Sequence, residues 1–304
     1  MAFKPIVVRL CEPHDQDCPP QELVPLDCES PERFKVDSYF DLRKAVVPVF
    51  WMYKDGHLEG LGSAFSLDPW GKFISADHLV AKERDKAVRR KTGNNQYKVK
   101  MPDDEGLVVL LGMGAIYGTP IVPPNAMPRV ASLWANALEK DDPMAALQGK
   151  VELCPIDLTV MATKGANLDL IRNLPFRSRP PCPMVGEQVV ALGFPEIEAF
   201  EGSVIEARTT ISEQMYAAYG TVKSLLRDGR DDTNLTPVFE VQANWSSGMS
   251  GGPVLNSNGE VIGIVSRSLG PGDGQPGTGW ATMLGGLPDF STFAPTLDSD
   301  NVDF

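Results

Sequence analysis

The sequence predicts an all-β fold, and three observations lead to that class. Apolar residues occur in short runs, such as residues 238–241 and 261–265, which is the pattern of β-strands. Turn-forming residues are abundant, with 28 Gly and 26 Pro in 304 residues. Segments with apolar residues at helical spacing are few. Short strands separated by turns are typical of closed or stacked antiparallel sheets.

A serine framed by glycines lies between those two apolar runs, in the segment 248–253, Gly-Met-Ser-Gly-Gly-Pro. Glycines allow the backbone to form a tight turn that exposes Ser250. Such a turn can direct several amide N–H groups at one point, which is how an oxyanion hole is built. Ser250 is therefore a candidate nucleophile if a histidine and an acid can activate it.

The positions of the histidines restrict the possible catalytic order. The chain has three, His14, His57 and His78, and all precede Ser250. The nucleophile elbow of α/β-hydrolases needs a histidine after the serine, so that reading fails. A subtilisin order needs an acid on a parallel strand before the histidine, whereas this region has the pattern of antiparallel hairpins. The order that remains is His, Asp, Ser.

His78 has the surroundings that this order requires. Residues 62–67 alternate as a strand, residues 68–71 (Asp-Pro-Trp-Gly) predict a turn, and Phe73 begins the return strand. The small residues 75–77 (Ser-Ala-Asp) end that strand, which leaves His78 at the rim of the sheet. We expect its imidazole to face a cleft.

These segments together resemble the trypsin-like serine peptidases. The resemblance rests on residues 62–65 (Gly-Ser-Ala-Phe), 75–78 (Ser-Ala-Asp-His), 248–253 and 263–266 (Gly-Ile-Val-Ser). It is stronger to bacterial trypsin-like and HtrA-type peptidase domains than to animal digestive enzymes, and it spans about residues 45–283. It implies two six-stranded antiparallel Greek-key β-barrels of the chymotrypsin type.

The same resemblance divides the chain. We expect an N-terminal extension over residues 1–39, a peptidase domain over 40–290 and an acidic tail over 291–304. The first barrel is expected at about 41–163 and the second at about 182–286. We therefore expect no PDZ domain of the HtrA type after the peptidase domain.

The resemblance also implies the roles of the site residues. It places the acid at the start of an apolar strand, which fits Asp157; Asp169 is the competing candidate. Ser250 would be the nucleophile, His78 the general base, and the N–H groups of Gly248 and Ser250 the oxyanion hole. Animal relatives carry an aspartate at the position of Met249, which pairs with a newly cut N-terminus. We therefore expect no activation by N-terminal insertion.

The primary substrate pocket is also read from the resemblance. It would be lined by Asn244, Trp245, Ser266 and Ala281. No acid lies at its base, so a preference for Lys or Arg is not expected, and a small or medium apolar substrate residue is. The loop 270–277 is either a hairpin connection or a rim of this pocket.

The interval between His78 and Asp157 is long for this family and is expected to be a partly helical insertion. Residues 131–138 have apolar residues at helical spacing and predict a helix. The basic run 82–91 is either a solvated surface or a docking site for a partner or an anionic ligand. The net charge of −12 argues against nucleic-acid binding.

Residues 1–39 contain Cys11, His14, Cys18 and Cys28, whose spacing matches no compact zinc-binding pair, so no metal or other cofactor is expected. The start lacks the apolar core of a signal peptide, no run could span a membrane, and five cysteines suggest no disulfide framework. We therefore expect a cytoplasmic protein.

Two functions remain open. One is a serine endopeptidase acting on protein or peptide substrates, with a regulatory partner bound through the extension or residues 82–150. The other is a catalytically silent trypsin-like fold that acts as a binding module.

Overall fold

The computed structural model describes residues 42–287, with gaps at 69, 82–87, 94, 113, 117–118, 122–124, 141, 175, 178, 211–214, 232–233 and 273–275. Before residue 42 it describes the backbone of four short strands: β1 (Val8–Arg9), β2 (Pro20–Gln21), β3 (Leu23–Pro25) and β4 (Arg33–Val36). The predicted tail 291–304 and the residues Cys11, His14, Cys18 and Cys28 lie outside the described residues.

Ten strands form the first half of the chain after these. They are β5 (Val46–Met52), β6 (His57–Ser66), β7 (Lys72–Ser75), β8 (Val88–Gly93), β9 (Gln96–Lys100), β10 (Gly106–Val109), β11 (Gly114–Ile116), β12 (Thr119–Ile121), β13 (Arg129–Lys140) and β14 (Glu152–Lys164). Strands β5, β6, β7, β14, β13 and β10 pair in that order, and β10 returns to β5, so six antiparallel strands close a barrel.

Seven strands form the second half: β15 (Gln188–Gly193), β16 (Glu201–Ser203), β17 (Tyr216–Leu226), β18 (Val238–Gln242), β19 (Pro253–Leu255), β20 (Val261–Leu269) and β21 (Thr278–Met283). Strands β15, β19, β20, β21, β18 and β17 close a second antiparallel barrel through the β15–β17 pair. Two closed six-stranded barrels confirm the predicted fold class.

The predicted helix over residues 131–138 is wrong, because these residues form the middle of β13. That strand pairs with β14 on one side and with β9 and β10 on the other. Its alanines and Leu133 favour a helix locally, but pairing on both sides satisfies the backbone of a strand, and tertiary context overrides propensity.

Most of the described residues of the insertion lie in strands and not in helices. Residues 88–91 of the basic run lie in β8, while residues 82–87 are outside the described part. The described helix of the insertion is the five-residue α1 (Pro143–Leu147), at the tip of the β13–β14 hairpin. A second short helix, α2 (Val204–Thr210), follows β16.

Two further pairings lie outside the barrel closures, and one of them links the two halves of the chain. Strand β16 leaves the second half of the chain and pairs with β6 of the first barrel. Strand β4 of the N-terminal segment pairs with β17 of the second barrel, and β3 pairs with β4. The apolar core fills the first barrel and continues between the barrels through Val190, Leu192 and Phe194, all of which are fully buried. This packing fixes the barrels against each other and places the cleft between them.

Candidate active site

His78 lies at the rim of the first barrel, where the sequence predicted it. A single 3₁₀ turn, Asp77–Leu79, follows β7 and carries the histidine away from the sheet. Its side chain is about one-third exposed, at 32%. The imidazole therefore faces solvent on one side and protein on the other, which suits a group that must meet a substrate.

Asp157 contacts this histidine through both side chain and backbone. Its Oδ1 lies 2.9 Å from His78 Nδ1, and its Oδ2 lies 3.0 Å from the same nitrogen. The backbone N–H of His78 donates to Oδ1 at 3.0 Å. The carboxylate thus fixes the imidazole at two points. Asp169, the competing acid, lies in an exposed 3₁₀ turn, and its hydrogen bonds are local.

A bulge in β14 aims Asp157 at the cleft. The paired residues Pro155 and Thr159 are separated by three residues, whereas their partners on β13 are separated by one, Asn136. Extra residues on one strand bend it and redirect its side chains. The resemblance implied that Asp157 would be the first residue of its strand. The strand β14 instead begins at Glu152.

Three residues of the second barrel hold Asp157 in place. Ser266 Oγ donates a hydrogen bond to Asp157 Oδ2. Thr282 Oγ1 donates to the backbone oxygen of Asp157 at 3.0 Å, and the backbone N–H of Asp157 donates to Thr236 Oγ1 at 3.0 Å. All three side chains are buried. The acid of one barrel is therefore oriented by the other, and no local sequence pattern marks Thr236 or Thr282.

The electrostatics of the pair follow from its burial and its contacts. Burial lowers the pKa of His78, but the hydrogen bond and negative charge of Asp157 outweigh burial and raise that pKa above its ordinary value. The positive charge of Arg267 opposes this rise. For Asp157, burial raises the pKa, but the contacts with His78 and Ser266 bring the net pKa below its ordinary value. Asp157 is thus a carboxylate at neutral pH.

Ser250 lies in the cleft between the barrels, at the end of a 3₁₀ turn, Ser247–Met249. The serine is 6% exposed, and its Oγ donates to the backbone oxygen of Ser266 at 3.4 Å. Within the described part of the chain, Ser250 Oγ has no hydrogen bond to His78. The following Gly251 has a φ of +85°, and a Cβ there would lie 2.0 Å from the backbone oxygen of Ser63. Only glycine fits this turn.

The same turn occupies one of the expected oxyanion donors. The backbone N–H of Ser250 donates to the backbone oxygen of Ser247 at 3.0 Å. The peptide between Gly248 and Met249 is held by the first barrel, since Ser63 Oγ donates to the backbone oxygen of Gly248 at 2.9 Å. Ser63 is fully buried and also accepts from the N–H of Phe194 at 3.0 Å. In this conformation the carbonyl of Ser247 takes the N–H that an oxyanion would need.

The predicted pocket residues are brought to one side of Ser250, but they are largely engaged with protein groups. Trp245 is 2% exposed, and its ring packs on Gly279, where a Cβ would lie 2.2 Å from the indole. Asn244 Oδ1 accepts from the N–H of Gly277 at 3.0 Å. Ser266 contacts Asp157, as described above, and Ala281 is fully buried in β21. Trp245 and Ala281 are therefore buried among protein groups in this conformation.

A separate cavity of about 260 Å³ adjoins the His78–Asp157 pair. Its wall includes Arg230, Asp231 and Asn234 from the β17–β18 connection, and Arg267 from β20. No local sequence pattern marks these residues, because the connection has no motif and lies far from His78 in the chain. Among described residues, no three His, Cys, Asp or Glu side chains group closely enough to hold a metal ion. No helix in the described ranges is long and apolar enough to cross a membrane.

Comparison with known proteins identifies the domain. Residues 62–264 match the profile of the trypsin-like peptidase domain, which is about two-thirds of the chain. An 88-residue stretch is 39% identical to the periplasmic pH-dependent serine endoprotease DegQ of Escherichia coli. That stretch is 29% of this chain and spans only 18% of the length of DegQ.

The fold is also similar to solved structures of the Rv3671c protease from Mycobacterium tuberculosis. The active form is 17% identical, with a TM-score of 0.40 over 80% of this chain and 77% of that one. The inactive form is 18% identical, with a TM-score of 0.41 over 80% of this chain and 85% of that one.

Proposed function

This chain belongs to the trypsin-like peptidase family, and we propose that it hydrolyses peptide bonds of protein substrates with Ser250, His78 and Asp157 as its catalytic triad. The contact between Asp157 and His78 Nδ1 at 2.9 Å carries the proposal. It holds the proton on Nδ1, so Nε2 is free to accept a proton from a nucleophile. Membership of the family indicates the type of reaction, which is peptide-bond hydrolysis. Ser250 is the serine of the glycine-rich turn at residues 248–253.

The proposed reaction has two halves. In the first, Ser250 Oγ attacks the substrate carbonyl carbon while His78 Nε2 takes the hydroxyl proton. The tetrahedral intermediate then expels the amine, which receives that proton, and an ester to Ser250 remains. In the second, water attacks the ester, with His78 accepting its proton and returning it to Ser250. Asp157 stabilises the imidazolium in both halves and remains a carboxylate.

The proposed reaction requires a rearrangement of the turn at residues 247–250, which contains the expected oxyanion donors. The N–H of Ser250 must leave the carbonyl of Ser247 before it can bind an oxyanion, and rotation of the peptide between Ser247 and Gly248 achieves this. Each oxyanion donor contributes roughly 3 kcal/mol to transition-state stabilisation. Met249 provides no carboxylate to hold the rotated state. We propose that substrate or a regulatory partner, bound through residues 1–39 or 82–150, favours it.

The second candidate function, a catalytically silent binding module, is favoured by one observation. Ser250 Oγ donates to the backbone oxygen of Ser266, and the N–H of Ser250 donates to Ser247. A chain that never left this conformation would lack both an activated nucleophile and an oxyanion hole. In the part of the chain that the structure describes, the two cysteines, Cys154 and Cys182, are free thiols. They support the further proposal that the protein works in a reducing compartment such as the cytoplasm.

A fluorophosphonate probe separates the two functions. The peptidase proposal expects covalent labelling of the full chain that is lost in both Ser250→Ala and His78→Ala. Ser257→Ala, which changes an exposed serine on a turn, is the matched control and should label like wild type. Circular dichroism would verify that the unlabelled variants are folded. Labelling that persists in Ser250→Ala would exclude the proposed nucleophile. Absence of labelling in wild type, with and without peptide substrate, would favour the binding module.

A further inference from the structure

The cavity beside His78 is lined by two arginines that the proposed mechanism does not use, Arg230 and Arg267. We propose that these arginines form a substrate subsite that selects a carboxylate side chain close to the scissile bond. The proposal rests on the proposed peptidase function and adds a substrate class to it. Arginine suits this role because its planar guanidinium binds a carboxylate through paired hydrogen bonds.

The position of Arg267 places its charge next to the reacting groups. It follows Ser266, whose hydroxyl contacts Asp157, and its side chain lies on the exposed part of β20. Arg267 pairs in register with Trp280 of β21, so the two side chains are cross-strand neighbours. The guanidinium of Arg230 lies over the Trp280 ring, 5.3 Å from its centre. This stacking holds the second cation at the same cavity.

The acids that line the cavity leave Arg267 uncompensated. Asp157 is engaged by His78 and Ser266. Asp231 lies 3.9 Å from Arg230 and offsets that charge instead. Asp77 is only 3% exposed, so it is not placed to pair with a side chain in solvent. Arg267 forms no ion pair with any residue of the described ranges. Arg267 is therefore the exposed cation of this cavity that remains available to a substrate carboxylate.

A bound carboxylate would assist the reaction as well as binding. The charge of Arg267 disfavours the protonated form of His78, which is the form that the reaction must generate. A substrate carboxylate paired with Arg267 would neutralise that effect during catalysis. Acidic substrates should therefore gain in kcat and not only in KM, since the interaction is stronger when His78 carries a proton.

Matched peptides test the proposal. A positional library in which each site near the cleaved bond carries Glu or its neutral counterpart Gln would locate the preferred position. We expect kcat/KM to be about three- to tenfold higher for Glu at one position, and the ratio to fall as salt is added. Arg267→Gln should reduce the ratio to near one, and Arg267→Glu should invert it, so that the Gln peptide is cleaved faster than the Glu peptide. Arg179→Gln, which removes an exposed arginine of the linker between the barrels, should leave the ratio unchanged.

The outcomes separate this proposal from the proposed function. Cleavage of the Glu and Gln peptides at equal rates, or a preference that survives Arg267→Gln, would overturn the subsite and leave the peptidase intact. If no peptide is cleaved, the proposed function fails, and the same peptides can still be titrated into Ser250→Ala by fluorescence polarisation. Tighter binding of the Glu peptide that is lost with Arg267→Gln would then support the subsite. Equal binding would refute it.

Discussion

Replacing Asp157 with asparagine should remove most of the activity while leaving the fold intact. Three donor groups converge on the two oxygens of this carboxylate: the backbone N–H of His78, its Nδ1–H and the hydroxyl of Ser266. An asparagine offers one accepting oxygen and one NH₂. If its oxygen keeps the backbone N–H of His78, the NH₂ faces Nδ1 and donates to it. The proton of the imidazole then moves to Nε2, which can no longer accept a proton from Ser250.

The expected size of this effect is large. A triad histidine in the wrong tautomer costs about 10⁴-fold in kcat, or about 5 kcal/mol of transition-state stabilisation. The assay is the initial rate of peptide cleavage near neutral pH, or the rate of fluorophosphonate labelling when no good substrate is known. Near-ultraviolet circular dichroism and a thermal melt would verify that Asp157→Asn is folded.

Asp169→Asn is the matched control, because Asp169 is the acid that competed with Asp157 in the sequence and is exposed in the structure. It should keep full activity. The reasoning would be refuted by an Asp157→Asn rate within tenfold of wild type, or by an equal loss in Asp169→Asn.

Three further predictions concern the surroundings of the site. Labelling by fluorophosphonate should fall as pH drops, because only neutral imidazole acts as the base. Its midpoint should lie above the ordinary pKa of histidine, since burial lowers the pKa of His78 but the hydrogen bond and charge of Asp157 outweigh it. A midpoint below the ordinary pKa would contradict this effect of Asp157. Ser266→Ala should slow labelling about 10- to 100-fold by removing a hydrogen bond to a buried carboxylate, and an unchanged rate would show that this bond is dispensable. Gly279→Ala should lower the free energy of unfolding in urea by about 1–3 kcal/mol, because the new Cβ would lie 2.2 Å from the Trp245 ring. In the control Gly270→Ala, the new Cβ meets nothing within 4 Å, so the free energy of unfolding should not change.

Local patterns were sufficient for the strands that carry His78 and Ser250. Alternating residues around 62–67 and a turn at 68–71 gave a hairpin that the structure contains as β6 and β7, with His78 just past its end. The local conformations around His78 and Ser250 are set by residues adjacent in the chain. One example is Gly251, directly after Ser250, which adopts a positive φ. The helix predicted at 131–138 failed for the opposite reason, because strand pairing on both sides of β13 decides its conformation.

The sequence by itself determined the class of the fold and the glycine turn around Ser250, because period-two alternation and turn chemistry act over a few residues. Packing between the barrels decided that Ser250 is only 6% exposed. Only the tertiary structure decided how Asp157 is held, since Thr236, Ser266 and Thr282 reach it from the second barrel. It also decided that the backbone oxygen of Ser247 accepts from the N–H of Ser250 and that Arg230 and Arg267 line one cavity beside His78. These features depend on the orientation of single peptides and on contacts between distant segments, which arise only when the two barrels pack together.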